Sequence, residues 1–167
     1  LWYGTLVSMR LKYRILATIV VLLSLAVRPV LADEFISEVI GILDGDTIDV
    51  LHNHQTKRIR LNGIDCPEKG QAYGQKAKHA ASDLVFGKEV TIQTHGYDKY
   101  KRTIGDVFLP DGTNVNHTLV KDGWCWWYRK YASRDVMLEG LEVEARKARR
   151  GLWADPQPVP PWEWRKR

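Results

Sequence analysis

Cysteine is scarce: Cys66 and Cys125 are the only two in 167 residues. That excludes the dense disulfide framework of small secreted domains. No Cys-x-x-Cys pair and no Cys/His spacing of the zinc-binding kind occurs, which excludes a structural zinc site. Two cysteines can pair in an oxidising compartment, but sequence alone does not bring them together. The five histidines (His52, His54, His79, His95 and His117) are scattered and read as surface or structural residues. No apolar run reaches the roughly 20 residues that a membrane-spanning helix needs. There is no internal repeat, and residues 1–32 contain no acidic residue at all.

That acid-free stretch has a pattern of its own. Arg10, Lys12 and Arg14 precede Ile15–Val27, a run of 13 apolar and small residues, and Val30-Leu31-Ala32 follows it. A basic start, a short apolar middle and small residues at the cleavage positions make a secretory signal peptide. The alternative is an uncleaved membrane anchor. The expectation is a mature chain starting at or near Asp33, secreted or periplasmic. Four of the 25 basic residues lie in this leader, leaving 21 against 20 acidic ones. Overall basicity is therefore no argument for nucleic acid. Distribution says more: residues 33–120 hold 10 basic and 13 acidic residues, and residues 121–167 hold 11 and 7. An acidic-leaning body with a basic C-terminal part suits a cation site beside a polyanion-binding surface.

Glu38–Leu43 and Thr47–Leu51 are short β-branched runs separated by the turn-forming Asp44-Gly45-Asp46, and Lys57–Leu61 alternates charged and apolar residues. Tyr73, Ala77, Ala80, Ala81 and Leu84 fall on one helical face, which Gly87 terminates. Glu89–Thr94 and Thr103–Leu109 read as strands, and Val115–Asp122 as a short helix. Trp124–Tyr128 is a short strand or a buried connector. A last helix is expected from an N-cap at Ser133, with Met137, Leu141, Ala145, Ala148 and Leu152 inward and Glu139, Glu142 and Arg146 outward. Residues 155–161 contain four prolines and read as a linker, followed by the basic aromatic tail Trp162–Arg167. Five short strands with a helix after the third predict an α+β, mainly β chain: a five-stranded OB-fold barrel with about three helices. The folded domain would occupy residues 33–154.

Three segments carry chemistry. Asp44-Gly45-Asp46-Thr47 does not fit an EF-hand, because Ile48, Asp49 and Gln55 stand where that loop needs a ligand, a glycine and a glutamate. In Arg60…Asp65-Cys66-Pro67-Glu68, a guanidinium is followed by two carboxylates, and Pro67 biases Cys66 away from helix. Oxygen ligands without imidazole or thiol spacing favour calcium or magnesium. The third segment is the charged loop Asp98-Lys99-Tyr100-Lys101-Arg102. Each segment alone is an ordinary turn or loop.

Together and in this order, they resemble the thermonuclease (staphylococcal nuclease-like) family, with its Asp-Gly-Asp-Thr turn, Arg…Asp-x-Pro-Glu segment and Asp-x-Tyr-Gly-Arg loop. The resemblance runs from about Glu38 to Trp153, including Ala148–Trp153, and the Pro-Pro-Trp-Glu-Trp-Arg tail is similar to that of secreted bacterial members. It implies a monomeric nuclease acting on DNA and RNA with little sequence preference and leaving 3′-phosphate ends. Asp46 and Asp65, with the Cys66 backbone carbonyl, would hold one Ca²⁺, and Asp44 would stand behind them. Glu68 would be the general base, and Arg60 and Arg102 would grip the scissile phosphate. Lys99, Tyr100 and Tyr131 would contact the substrate. Two departures stand out: Cys66 replaces the usual threonine, and Lys101 replaces the usual glycine. The rival reading is an idle OB module that only binds nucleic acid or protein.

Overall fold

Alternation decides which way each strand faces. In Ile48/Val50, Ile59/Leu61, Val90/Ile92 and Thr103/Gly105/Val107, every second residue is buried. Burying each of these larger aliphatic side chains is worth about 1.5–3 kcal/mol. The computed structural model describes residues 33–167; the leader, and with it the signal-peptide reading, lies outside the described residues. Within them are β1 (Glu34–Asp44), β2 (Thr47–His52), β3 (Gln55–Leu61), β4 (Ile64–Asp65), α1 (Gly74–Val85), β5 (Glu89–Tyr97), β6 (Thr103–Phe108), α2 (Val115–Lys121), β7 (Trp126–Trp127) and α3 (Val136–Lys147). A 3₁₀ turn (Gly151–Ala154) and the single-turn α4 (Pro161–Trp164) complete them.

Five strands close a barrel in the order β1-β2-β3-β6-β5. All its pairings are antiparallel except β3 with β6, which is parallel. This is the expected OB-fold, an α+β structure dominated by its barrel. Ala77, Ala81 and Val85 of α1 and Leu119 and Val120 of α2 join the barrel core. β4 and β7 form a separate two-stranded ladder, with Ile64 opposite Trp127 and Asp65 opposite Trp126. The aromatic-dense stretch is thus a buried strand. Among the described residues, no helix is long and apolar enough to cross a membrane.

The last helix differs from expectation in start and in rotation. Asp135, not Ser133, is its N-cap and accepts the Leu138 N–H at 2.9 Å. Its buried residues are Leu138, Glu142 and Ala145, whereas Met137 is exposed. Glu142, expected outside, is fully buried. It accepts the Trp127 N–H at 3.2 Å and pairs with Arg129 at 3.0 Å and Arg146 at 3.4 Å. A buried carboxylate with that many donors is satisfied, and periodicity counted from apolar residues alone misses it.

The proline-rich stretch is not a free linker. Gln71 donates its side-chain amide to the Val159 carbonyl at 2.6 Å, and Pro161 is buried. Trp162 stacks on Tyr128 (centroids 5.4 Å apart, planes 3° apart) and meets Trp126 edge-on at 5.5 Å. Residues 155–167 are therefore docked on the domain by aromatic packing.

Candidate active site

The first functional segment is the β1–β2 turn. Asp44 accepts the Asp46 N–H at 3.1 Å, an Asx-type contact that points Asp46 back across the turn. Asp46 itself is buried. Its Oδ2 accepts the Cys66 N–H at 2.6 Å, and its Oδ1 accepts the Thr47 hydroxyl at 3.1 Å. The turn can lie this close to Cys66 because Gly45 has no side chain. A Cβ there would stand 2.8 Å from the Cys66 Cβ and 2.9 Å from the Ala77 Cβ. Cys66 is disulfide-bonded to Cys125, 59 residues along the chain. Closing a loop of that length contributes roughly 4 kcal/mol in the chain-entropy picture. The bridge and the β4–β7 ladder together fix the segment that carries Asp65 and Glu68.

Strand register supplies the partner. Thr47 pairs with Arg60 across β2 and β3, so the guanidinium lies beside Asp46. Arg60 Nε is 3.2 Å from Asp46 Oδ1, and Nη2 donates to Asp65 Oδ1 at 3.0 Å. Nη1 donates to the Leu61 and Ile64 carbonyls, both at 2.8 Å. Three of its five N–H groups are thus committed to backbone and Asp65 oxygens, and Nε faces Asp46. Arg60 is a strut of the site as well as a cation in it, a role that spacing alone does not disclose. Burial is the main influence on Asp46 and raises its pKa. Arg60 opposes this, and the neighbouring Asp44 and Asp65 add to it, leaving Asp46 at about 7.

Glu68 lies in the loop after β4, half-exposed, and is held by its backbone. Its N–H donates to Gln71 Oε1 at 3.1 Å, and its carbonyl accepts the Gln71 N–H at 2.8 Å. Gly74, the first residue of α1, packs directly on that carbonyl, where any Cβ would collide with it. One more charged residue reaches this loop. Arg165, from the docked tail, donates through Nη2 to Asp65 Oδ2 at 2.7 Å and through Nη1 to Glu68 Oε1 at 2.6 Å.

Arg102 immediately precedes β6. The strand it leads into lies beside β3, with Arg60 paired to Ile104 in the parallel ladder. Asp98 organises the loop: its Oδ1 accepts the Tyr100 and Arg102 N–H groups at 2.8 and 2.9 Å, and its Oδ2 accepts Arg102 Nε at 2.7 Å. Burial works against the Asp98 charge, but these donors outweigh it and hold the carboxyl below its usual range. Tyr100 and Tyr131 are exposed. Lys99 lies 4.8 Å over the Tyr100 ring, and Arg102 lies 5.5 Å from the same centroid. A hydrogen bond with Tyr100 is the main influence holding Lys99 above the usual lysine range, and Tyr131 adds to it.

Lys101 has φ 64°, the left-handed conformation that glycine adopts without penalty. A non-glycine residue there costs about 1–2 kcal/mol, part of which the stiffer unfolded chain recovers. Lys101→Gly is therefore expected to stabilise the protein by about 0.5–1 kcal/mol. An upward shift of the urea midpoint at unchanged slope is the sign of it; an unchanged or lower midpoint would show that the loop is unstrained.

The structure thus brings Asp44, Asp46, Arg60, Asp65, Cys66 and Glu68 into one cluster. Arg102 stands in a separate loop with Lys99 and Tyr100, at the start of the strand that pairs with β3. Among the described residues, no three carboxylate, imidazole or thiolate side chains group closely enough to cage a metal by themselves. Asp46 and Asp65 fit a hard cation that completes its shell with backbone carbonyls and water, because both are oxygen donors on one side of a single guanidinium.

The sequence model of the family described as "Staphylococcal nuclease homologue" matches residues 58–155. This chain belongs to that family. Among its relatives, an "Uncharacterized endonuclease" of Escherichia coli O157:H7 is 46% identical over 139 residues, spanning 83% of this chain and 90% of the relative. A "Micrococcal nuclease" of Shigella flexneri is 45% identical over 142 residues, 80% of this chain and 82% of its own length. A "Staphylococcal-like nuclease CAN1" of Arabidopsis thaliana is 41% identical over 109 residues, 65% of this chain and 33% of the relative. The family match ends at residue 155, before Arg165. The sequence signals for that residue are a basic run immediately behind two tryptophans, Trp162 and Trp164, and its place in the Pro-Pro-Trp-Glu-Trp-Arg tail noted above.

Proposed function

We propose that this chain is an exported, calcium-dependent nuclease that hydrolyses phosphodiester bonds of DNA and RNA with little sequence preference, leaving 3′-phosphate ends. Membership of the staphylococcal nuclease family makes it a hydrolase acting on nucleic acid. The observation that carries the finer reading is the Asp46–Arg60–Asp65 cluster with Glu68 at its rim. An idle binding module has no use for two buried carboxylates locked to one guanidinium, which is costly to bury. Export is supported by the leader pattern and by a buried disulfide, which persists in oxidising compartments.

In this reading Asp46 and Asp65, with the Cys66 carbonyl, would hold the Ca²⁺, and Asp44 orients the turn behind them. Such an ion would supply Lewis-acid charge to the phosphodiester. Glu68, at the open edge, takes the proton of the attacking water. Arg102 and the remaining N–H of Arg60 meet the charge that grows on the phosphoryl oxygens. Tyr100 and Tyr131 offer exposed faces to the bases, a contact that does not select sequence, and Lys99 attracts the backbone.

The test is cleavage of single-stranded DNA by the mature protein with Ca²⁺ or with excess chelator. Activity should require the cation; full activity in chelator, or rescue by Zn²⁺ alone, would count against the site. Binding should also depend on pH in a defined direction. Asp46, at about 7 without cation, must be ionised to ligate, so calorimetric Ca²⁺ affinity should rise from pH 6 to pH 8. Its folded pKa lies above the unfolded value of 3.8, so its contribution to the metal-free fold is present at low pH and is lost as pH rises through about 7. Equal Ca²⁺ affinity at both pH values would remove Asp46 from the ligand set.

A further inference from the structure

The docked tail delivers a guanidinium to the oxygens that the proposed site needs free. Arg165 forks onto Asp65, with Nη2 at 2.7 Å from Oδ2 and Nη1 at 3.3 Å from Oδ1. The same Nη1 reaches Glu68 Oε1 at 2.6 Å. Both carboxylates of the loop after β4 are therefore bridged by one cation from a segment 97 to 100 residues away in sequence.

The tail does not depend on this contact for its position. Pro161 is buried, Trp162 is packed between Tyr128 and Trp126, and Gln71 holds the Val159 carbonyl. Arg165 lies one turn beyond these anchors, so its guanidinium is presented to the site at high local concentration. Its side chain remains about two-fifths exposed, whereas that of Asp65 is almost wholly buried. The electrostatic need is on the Asp65 side. Asp46, Asp65 and Glu68 outnumber Arg60, and burial makes the surplus negative charge expensive unless a cation stands against it. A divalent ion or Arg165 can meet that need, and both use the Asp65 oxygens. The same guanidinium also occupies a Glu68 oxygen that the role of base needs free.

We propose that Arg165 is an autoinhibitory latch: a built-in counter-ion that occupies Asp65 and Glu68 in the cation-free protein and must leave them for a divalent cation to bind. The proposal rests on the calcium reading above. Competition of this kind lowers apparent affinity by the fraction of molecules that are unlatched. If about nine molecules in ten are latched, removing Arg165 tightens Ca²⁺ binding about tenfold.

The experiment is titration calorimetry of Ca²⁺ into the full mature chain, wild type against Arg165→Ala and Arg165→Lys, without nucleic acid. Arg165→Ala should bind about tenfold tighter. Arg165→Lys, which keeps the charge and loses the fork, should fall between. In ¹⁵N-labelled wild type, Ca²⁺ should shift the Arg165 Nε–H resonance as the fork is released. Circular dichroism at each titration temperature establishes that the variants are folded. Equal or weaker binding by Arg165→Ala, or an Arg165 resonance that ignores saturating Ca²⁺, would overturn the latch and leave the calcium site standing. Absence of Ca²⁺ binding in all three proteins would overturn both.

Discussion

Replacing Glu68 by glutamine should lower kcat by about 10²–10⁴ while leaving affinity for an uncleaved oligonucleotide nearly unchanged. The amide has the same outline but cannot accept a proton from water. Its backbone setting is untouched, because Gln71 holds the Glu68 N–H and carbonyl, not its side chain. The substitution does weaken one contact, the 2.6 Å pair with Arg165. That pair is half-exposed and contributes little to stability, on the order of 0–1 kcal/mol. A fall in kcat therefore cannot be assigned to unfolding. Single-turnover cleavage and filter binding at fixed salt separate the two quantities. Wild-type kcat in Glu68→Gln would remove Glu68 from the role of base.

The second large effect separates the two arginines. Arg60→Lys should lower kcat and stability together, whereas Arg102→Lys should lower kcat with a small change in stability. Arg60 is mostly buried and joins Asp46, Asp65 and the Leu61 and Ile64 carbonyls. A lysine cannot reach four acceptors in that plane, and breaking a buried ion-pair network of this sort costs about 3–5 kcal/mol. Arg102 has one carboxylate partner, Asp98, at 2.7 Å and is more exposed. Losing a guanidinium that meets transition-state charge costs on the order of 10²–10³ in kcat. Urea unfolding and single-turnover rates on both variants test the split. Wild-type cleavage by both would refute the phosphate clamp, and equal destabilisation would refute the strut role of Arg60.

Much of this was legible in the sequence. β-branched runs, with the alternation of Lys57–Leu61, marked all five barrel strands, and the cluster was legible through the family resemblance that the Asp-Gly-Asp-Thr and Arg…Asp-x-Pro-Glu segments carry; the Asp46–Arg60 contact then follows from the register of β2 on β3. The positive φ of Lys101 was foreshadowed by the missing glycine. Less local features were not legible. Glu142 looked like a surface residue because its partners, Arg129 and the Trp127 N–H, come from another segment. Arg165 looked like a free tail because only tertiary packing of Trp162 explains where it goes. Whether Cys66 and Cys125 meet depends on the β4–β7 ladder, whose two-residue strands carry too little pattern to be paired from sequence.

The Cys66–Cys125 bond also makes a ring of chain that contains α1, β5, β6 and α2, with the exposed Lys99-Tyr100-Lys101 loop between β5 and β6. Exposed loop tips are where proteases cut most readily. A tryptic cut after Lys99 or Lys101 would therefore open the ring without dividing the molecule. One piece would carry Asp46, Arg60, Asp65 and Glu68, and the other Arg102 and Arg165. They would migrate as a single species until a thiol reductant was added and as two thereafter. The bond thus makes this nuclease a natural candidate for a split two-chain protein whose halves stay in register.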